Sequence, residues 1–220
     1  MSSRASFRTG VAALVLASSV ALSASSPATG AAAAPVSATE QLLAKITIDN
    51  FGRVNNGYYR GAQPQGHDYA DLAALGVKTV IDLTADGDAS ESATVTREGM
   101  KFFRIPMTTS DAPRAAAIAQ FLGLVNDPAN QPVYVHCQGG RHRTGTMTAV
   151  YRMTQDGWNA DQAFAEMQKY KFGAAFLHST LKEFVFDYDT HHDRTTPAAP
   201  RAVVATAVAS GVQETVAVTQ

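Results

Sequence analysis

The chain reads as a single α/β domain with a central, largely parallel sheet flanked by helices, and three observations predict it. Segments of strand and helix character alternate along residues 46–188, an order that lays parallel strands side by side with helices on both faces. Residues 132–136, Pro-Val-Tyr-Val-His, form a short apolar run rich in β-branched and aromatic side chains, the pattern of a buried strand. That run passes directly into a glycine-containing loop and then a helical stretch from Thr144. In open α/β sheets, the carboxyl end of a strand is where ligands bind.

Each element has its own signal. Residues 37–45 suit a short helix, and 46–60 hold one or two strands ending in Tyr58-Tyr59-Arg60-Gly61-Ala62-Gln63-Pro64. Residues 67–75 form an amphipathic helix that Gly76 closes, since glycine accepts the left-handed conformation of a helix end. Residues 78–83 read as a buried strand, 88–98 as a helix ending near Gly99, and 101–106 as the next strand. In 115–125, Ile118, Phe121, Leu122 and Val125 recur at i, i+3, i+4 and i+7, one face of a helix. The helix from Thr144 carries Met147, Val150 and Tyr151 on one side. Two more helices follow near 159–170 and 176–188, the second with Leu177, Leu181, Phe184, Val185 and Tyr188 in a stripe. No internal repeat is visible.

Composition bounds the rest. A chain of 220 residues with 45% hydrophobic residues supports one ordinary domain. The formal net charge of −1 and the absence of a dense basic run argue against nucleic-acid binding. Arg4 and Arg8 precede a short apolar core at 11–22 and an Ala/Ser-rich exit, so 1–34 reads as a secretory signal peptide. Its core is too short for a comfortable membrane span, so no stable insertion is expected after cleavage. The domain then occupies 37–192, and 193–220, poor in bulky residues, reads as a flexible tail. Oligomeric state is not legible.

The chemistry lies in His136-Cys-Gln-Gly-Gly-Arg-His-Arg-Thr-Gly145, which holds the one cysteine of the chain. Exported domains generally use cysteines in pairs, so a lone one points to a thiol kept for its reactivity. A glycine-containing turn entering a helix gathers backbone N–H groups that bind an oxyanion. The same helix start, with Arg143, favours a thiolate at Cys137.

The stretch resembles the loop His-Cys-x5-Arg-(Ser/Thr) of the cysteine-based protein tyrosine and dual-specificity phosphatases. The resemblance implies that Cys137 is the nucleophile of a phosphocysteine intermediate. Arg143 would grip two phosphate oxygens with its planar fork, and Thr144 would hydrogen-bond the sulfur and ease its departure. The amides of Gln138, Gly139, Gly140, Arg141, His142 and Arg143 would line the cradle, and His136 would orient the loop through backbone hydrogen bonds. Side chains of Arg141 and His142 would either add charge for multiply phosphorylated substrates or point to solvent. No cofactor and no metal are expected; His191-His192 has no third ligand at suitable spacing.

A leaving group also needs an acid. Asp111 follows the strand at 101–106 and precedes Cys137 at a spacing similar to that of the compact dual-specificity enzymes, though a helix N-cap before Ala112-Pro113 is the competing role. Asp82, Asp86 and Asp127 are reserves, with Asp127 better suited to ending a helix. No Trp-Pro-Asp sequence is present, which moves the reading toward the small dual-specificity type. The segment at 59–64 also resembles the early strand and turn of that type, and Arg60 would support the site from behind; an ordinary strand-to-helix turn is the plainer reading.

The expectation is a secreted phosphate monoester hydrolase acting on a phosphorylated protein or a small phosphorylated substrate. Inositol phosphates or phosphoinositides are the alternative substrates for the same loop. Remoter readings are a sulfurtransferase or arsenate reductase, and a non-catalytic phosphate-binding module.

Overall fold

The structure, a computed structural model, describes residues 37–191. The predicted leader and tail lie outside the described residues. Strands β1 (Gly52–Asn55), β2 (Tyr58–Gly61), β3 (Thr79–Thr84), β4 (Lys101–Met107) and β5 (Val133–His136) form one sheet in the order β1-β2-β5-β3-β4. Only β1 runs antiparallel, against β2; the other four strands are parallel. Among the described residues, seven α-helices accompany them: α1 (Ala38–Leu43), α2 (Asp68–Ala74), α3 (Glu91–Arg97), α4 (Ala115–Asn126), α5 (His142–Gln155), α6 (Ala160–Lys169) and α7 (Ser179–His191).

Every residue of β3 and β5 is buried, as expected where helices cover both faces of a parallel sheet. On one face Ile81, Leu83, Val133 and Val135 pack against Phe121 and Val125 of α4 and Met147 of α5. On the other, Val80 and Tyr134 pack against Leu72 of α2 and Val95 of α3. The period-2 alternation of strand side chains divides one short sequence between two cores. Gly76 and Gly99 have φ of +90° and +80°, the left-handed ends that close α2 and α3.

Two expectations need correction. Helix α5 is not one-sided: each residue from Arg143 to Tyr151, and Met153, is buried. Its second face packs through Ala149 and Met153 onto Ala163 and Met167 of α6 and Leu181 and Val185 of α7. Leu177 does not join the stripe of α7. With Phe176 it sits on a 3₁₀ turn, Ala175–His178, and the two are 67% and 80% exposed. The tighter turn rotates successive side chains by about 120° rather than 100°, which breaks the register of the stripe. Among the described residues, no helix is long and apolar enough to cross a membrane.

Candidate active site

Residues 137–144 join the buried end of β5 to the start of α5, and the loop is held by its carbonyls. The Gln63 amide donates to the Gln138 carbonyl at 3.1 Å. The Asn50 side-chain amide lies 3.3 and 3.2 Å from the carbonyls of Gly139 and Gly140, and 2.7 Å from that of Tyr170. Arg60 donates from Nη2 to the Gly140 carbonyl at 2.7 Å. With the carbonyls tied outward, the amides are left for a ligand: among the described residues, none from 138 to 144 donates to a backbone carbonyl. Gly140, at φ +63°, makes the turn possible, and a Cβ there would strike the Gly61 backbone.

Cys137 is 3% exposed at the base of this loop. Arg143, the second residue of α5, is also buried. Its Nη1 donates to the Met107 carbonyl at the end of β4 (3.3 Å) and lies 3.6 Å from an Asp86 carboxylate oxygen. Its Nε is buried without a hydrogen-bond partner, as is the hydroxyl of Thr144. The structure therefore brings Cys137, Arg143 and Thr144 to one cradle but makes no hydrogen bond from Thr144 to the sulfur. Buried polar atoms without partners are costly, and a bound oxyanion on Arg143 would offset that cost.

Arg60 lies behind the loop, with its guanidinium stacked 3.9 Å from the Tyr170 ring centre. Burial pulls its pKa below the usual guanidinium value. His136 differs from expectation. Its ring makes no backbone hydrogen bond; it faces carboxylates, with Nε2 3.0 Å from Glu91 and Nδ1 4.0 Å from Asp82. Both ring nitrogens are buried without a hydrogen-bond partner, and these two acids are the groups they face.

The side chains of Arg141 and His142 are engaged elsewhere. Arg141 lies 3.5 Å from Asp49, which Lys171 also pairs at 2.6 Å. His142 Nε2 lies 3.0 Å from the Phe172 carbonyl, and its ring packs on His178 with centroids 3.6 Å apart. Desolvation and then His178 lower its pKa, so it contributes little positive charge at neutral pH.

Asp111 lies on the loop after β4, four residues beyond the Met107 carbonyl that meets Arg143. Its carboxylate accepts from the Thr108 and Ser110 hydroxyls at 2.6 and 3.2 Å, and these hold its pKa below the usual carboxylate value. It does not cap α4, whose N-cap is Arg114. Of the reserves, Asp82 is buried against Arg104 at 2.7 Å, and Asp127 ends α4. Asp86 is the carboxylate that touches the cradle. Asn50, Gln63 and Glu91 escape the sequence reading as site residues because their roles come from contacts across the fold; the positive φ of Asn50 (+59°) has no clear sequence signal.

Comparison with known proteins follows the same lines. The family described as DSP-PTPase phosphatase fused to NAD+ kinase matches residues 45–183. Inositol diphosphatase DSP2 of Oryza sativa subsp. japonica is 30% identical over 147 residues, 64% of this chain and 70% of that protein. Dual specificity protein phosphatase TpbA of Pseudomonas aeruginosa (strain UCBPP-PA14) is 31% identical over 124 residues, 56% of each chain. The solved catalytic core of the PP-IP phosphatase SIW14 from S. cerevisiae, in complex with citrate, superposes with a TM-score of 0.57 at 26% identity, covering 66% of this chain and 88% of that one. The chain spans just over half the length of TpbA and of inositol diphosphatase SIW14 from Saccharomyces cerevisiae, at 56% and 52%. Since the family match takes in every strand of the sheet and the whole loop at 137–144, the chain belongs to the DSP-PTPase phosphatases and is a cysteine-based phosphoric monoester hydrolase.

Proposed function

We propose that this phosphatase is exported and removes phosphate from tyrosine, serine or threonine residues of proteins through a phosphocysteine intermediate. The observation that carries the chemistry is the buried Nε of Arg143, unpartnered beside a loop whose carbonyls are tied outward. In the first step the Cys137 thiolate attacks phosphorus, the P–O bond to the leaving group breaks, and Asp111 gives that oxygen its proton. Arg143 and the loop amides hold the three non-bridging oxygens as charge spreads over them. Water then attacks the phosphocysteine and gives its proton to Asp111; the S–P bond breaks, and Thr144 donates a hydrogen bond to the departing sulfur.

Asp111 is assigned the acid role over Asp86 because Asp86 faces the guanidinium that must take the phosphate. Its charge there competes with the substrate. For Asp111 to act, its bonds to Thr108 and Ser110 must break as substrate enters, since both favour the ionised form.

The surroundings of the loop support a protein substrate. A cavity of about 640 Å³ opens beside Gln138, with the carboxylates of Asp86 and Asp88 and the guanidinium of Arg97 in its wall, while Glu91 is buried against Arg104. Such a wall repels a polyanion and accepts a neutral or basic peptide. Arg141 and Lys171, which would otherwise attract further phosphates, share the carboxylate of Asp49. Inositol phosphates are the second reading, favoured by the rice and yeast relatives, which are inositol diphosphatases.

Export rests on the sequence of residues 1–34, and the N-terminus of the mature protein recovered from the culture medium tests it. The substrate is tested by metal-free hydrolysis of a phosphotyrosine peptide, a phosphothreonine peptide, inositol hexakisphosphate and a soluble phosphoinositide, with Cys137→Ser as the blank. Faster Cys137-dependent turnover of a peptide supports the proposal. Faster turnover of the inositol phosphate replaces it with the second reading, and wild-type turnover in Cys137→Ser removes the nucleophile.

A further inference from the structure

Behind the phosphate loop lies a buried polar cluster that the mechanism above does not use. Glu91, 1% exposed, projects from α3 into the space beneath the loop. Its Oε1 accepts from Gln63 Nε2 at 2.6 Å and from the Tyr69 hydroxyl at 3.1 Å, and lies 3.0 Å from His136 Nε2. The opposite edge of the His136 ring faces Asp82 of β3 at 4.0 Å. Arg104 of β4 stands behind both acids, 2.7 Å from Asp82 and 3.7 Å from Glu91. The Tyr134 ring stacks on the imidazole with centroids 5.7 Å apart. Burial, reinforced by Glu91, pushes the Tyr69 phenol well above its usual pKa, so it remains a donor to the carboxylate.

Asp82, Glu91 and His136 are close enough together to suggest a metal site. Arg104 already supplies a cation to both acids, and the imidazole stands between the carboxylates with a different nitrogen toward each. The arrangement suits a clamp on the protein's own residues.

What Glu91 holds is the chain on either side of Cys137. His136 immediately precedes the cysteine. Gln63, whose side chain Glu91 grips, donates its backbone amide to the carbonyl of Gln138, which immediately follows it. We propose that Glu91 is a positioning residue of this phosphatase, bracketing Cys137 by holding His136 on one side and, through Gln63, Gln138 on the other. The inference rests on the assignment of Cys137 as nucleophile. An acid on α3 thereby reaches the reacting sulfur without touching substrate.

The test compares Glu91→Gln, His136→Asn and the double variant with wild type, each checked for folding by circular dichroism. Alkylation of Cys137 by iodoacetate at pH 6, read by mass, needs no substrate, so it separates this inference from the identity of the substrate. Both single variants should slow alkylation about tenfold, and the double variant no further than His136→Asn alone, as for residues acting in one chain. With p-nitrophenyl phosphate, kcat should fall about tenfold while KM moves less than about threefold, because phosphate is gripped by Arg143 and the loop amides. Additive losses, or alkylation at the wild-type rate in folded Glu91→Gln, overturn the proposal. Should Glu91→Gln fail to fold, Gln63→Met removes one arm of the clamp and leaves the buried acid in place. A loss confined to kcat then supports the proposal, and an unchanged kcat overturns it.

Discussion

The Arg60 guanidinium and the Gly140 carbonyl, 80 positions apart in sequence, are joined by a 2.7 Å hydrogen bond that ties β2 to the turn of the phosphate loop. Arg60 is fully buried, so its contribution is unscreened by solvent. Lysine at this position keeps the charge but loses both the planar stack on Tyr170 and the fixed reach to Gly140. Arg60→Lys should weaken tungstate binding about tenfold and destabilise the fold by about 2 kcal/mol, the usual size for a charged hydrogen bond lost in a buried site. Calorimetric titration and thermal melting measure the two effects, and unchanged tungstate affinity would show that β2 does not set the cradle.

Thr108 controls the proton inventory of Asp111. Its hydroxyl is the largest cause of the lowered Asp111 pKa, followed by Ser110. An acid must be protonated before it can donate, so a lowered pKa in the free enzyme moves the alkaline limb of the kcat/KM profile to lower pH. Thr108→Val removes the hydroxyl at nearly constant shape, lets the Asp111 pKa rise, and should carry that limb to higher pH. Asp111→Asn should abolish the limb. A kcat/KM limb that stays fixed in Thr108→Val while vanishing in Asp111→Asn would mean that the Thr108 hydroxyl does not set the proton affinity of Asp111 in the free enzyme.

The fold was legible because its signals are local. The runs at 78–83, 101–106 and 132–136 became strands, since a buried strand announces itself in its own side chains. The loop was legible for a similar reason: Cys137, Arg143 and Thr144 sit within one turn and its helix. What brackets them was not. Asn50, Gln63 and Glu91 reach Gly139, Gln138 and His136 from 89, 75 and 45 positions away, respectively, and each is an ordinary polar residue in its own segment. Glu91 reads as a helix-start acid, and only the packing of α3 on the sheet turns it inward. The resemblance alone points His136 to the backbone, and neither acid that its ring faces is near it in sequence.

Asp86 occupies the approach to Arg143 without being needed by the fold. Its side chain is 87% exposed and lies 3.6 Å from Nη1. A pair this exposed is worth under about 1 kcal/mol, so its removal changes affinity by no more than about fivefold. Asp86→Asn should lower the inhibition constant for inorganic phosphate two- to fivefold and lower KM in the same proportion, with kcat unchanged. The difference should shrink in high salt, where exposed charges are screened. A collapse of kcat in this variant would instead transfer the role of acid from Asp111 to Asp86.

Two adjacent glycines should respond unequally to the same substitution. At Gly139 an added Cβ meets only the Arg141 side chain, at 3.4 Å, and that arginine is half exposed and can move aside. At Gly140 it would strike the backbone of Gly61 and force an L-residue to hold φ +63°. The left-handed conformation alone costs roughly 1–2 kcal/mol, and the clash adds to it because β2 cannot retreat without breaking its pairing with β5. Gly140→Ala should therefore lower Tm by at least about 3 °C, and Gly139→Ala by less than about 2 °C. The Gly140 carbonyl is also where Asn50 and Arg60 converge. A displaced turn would release both bonds together, so tungstate affinity should fall in Gly140→Ala by more than in Arg60→Lys. Equal melting temperatures for the two alanine variants would show that the turn yields, and that the carbonyls are held less firmly than their hydrogen bonds imply.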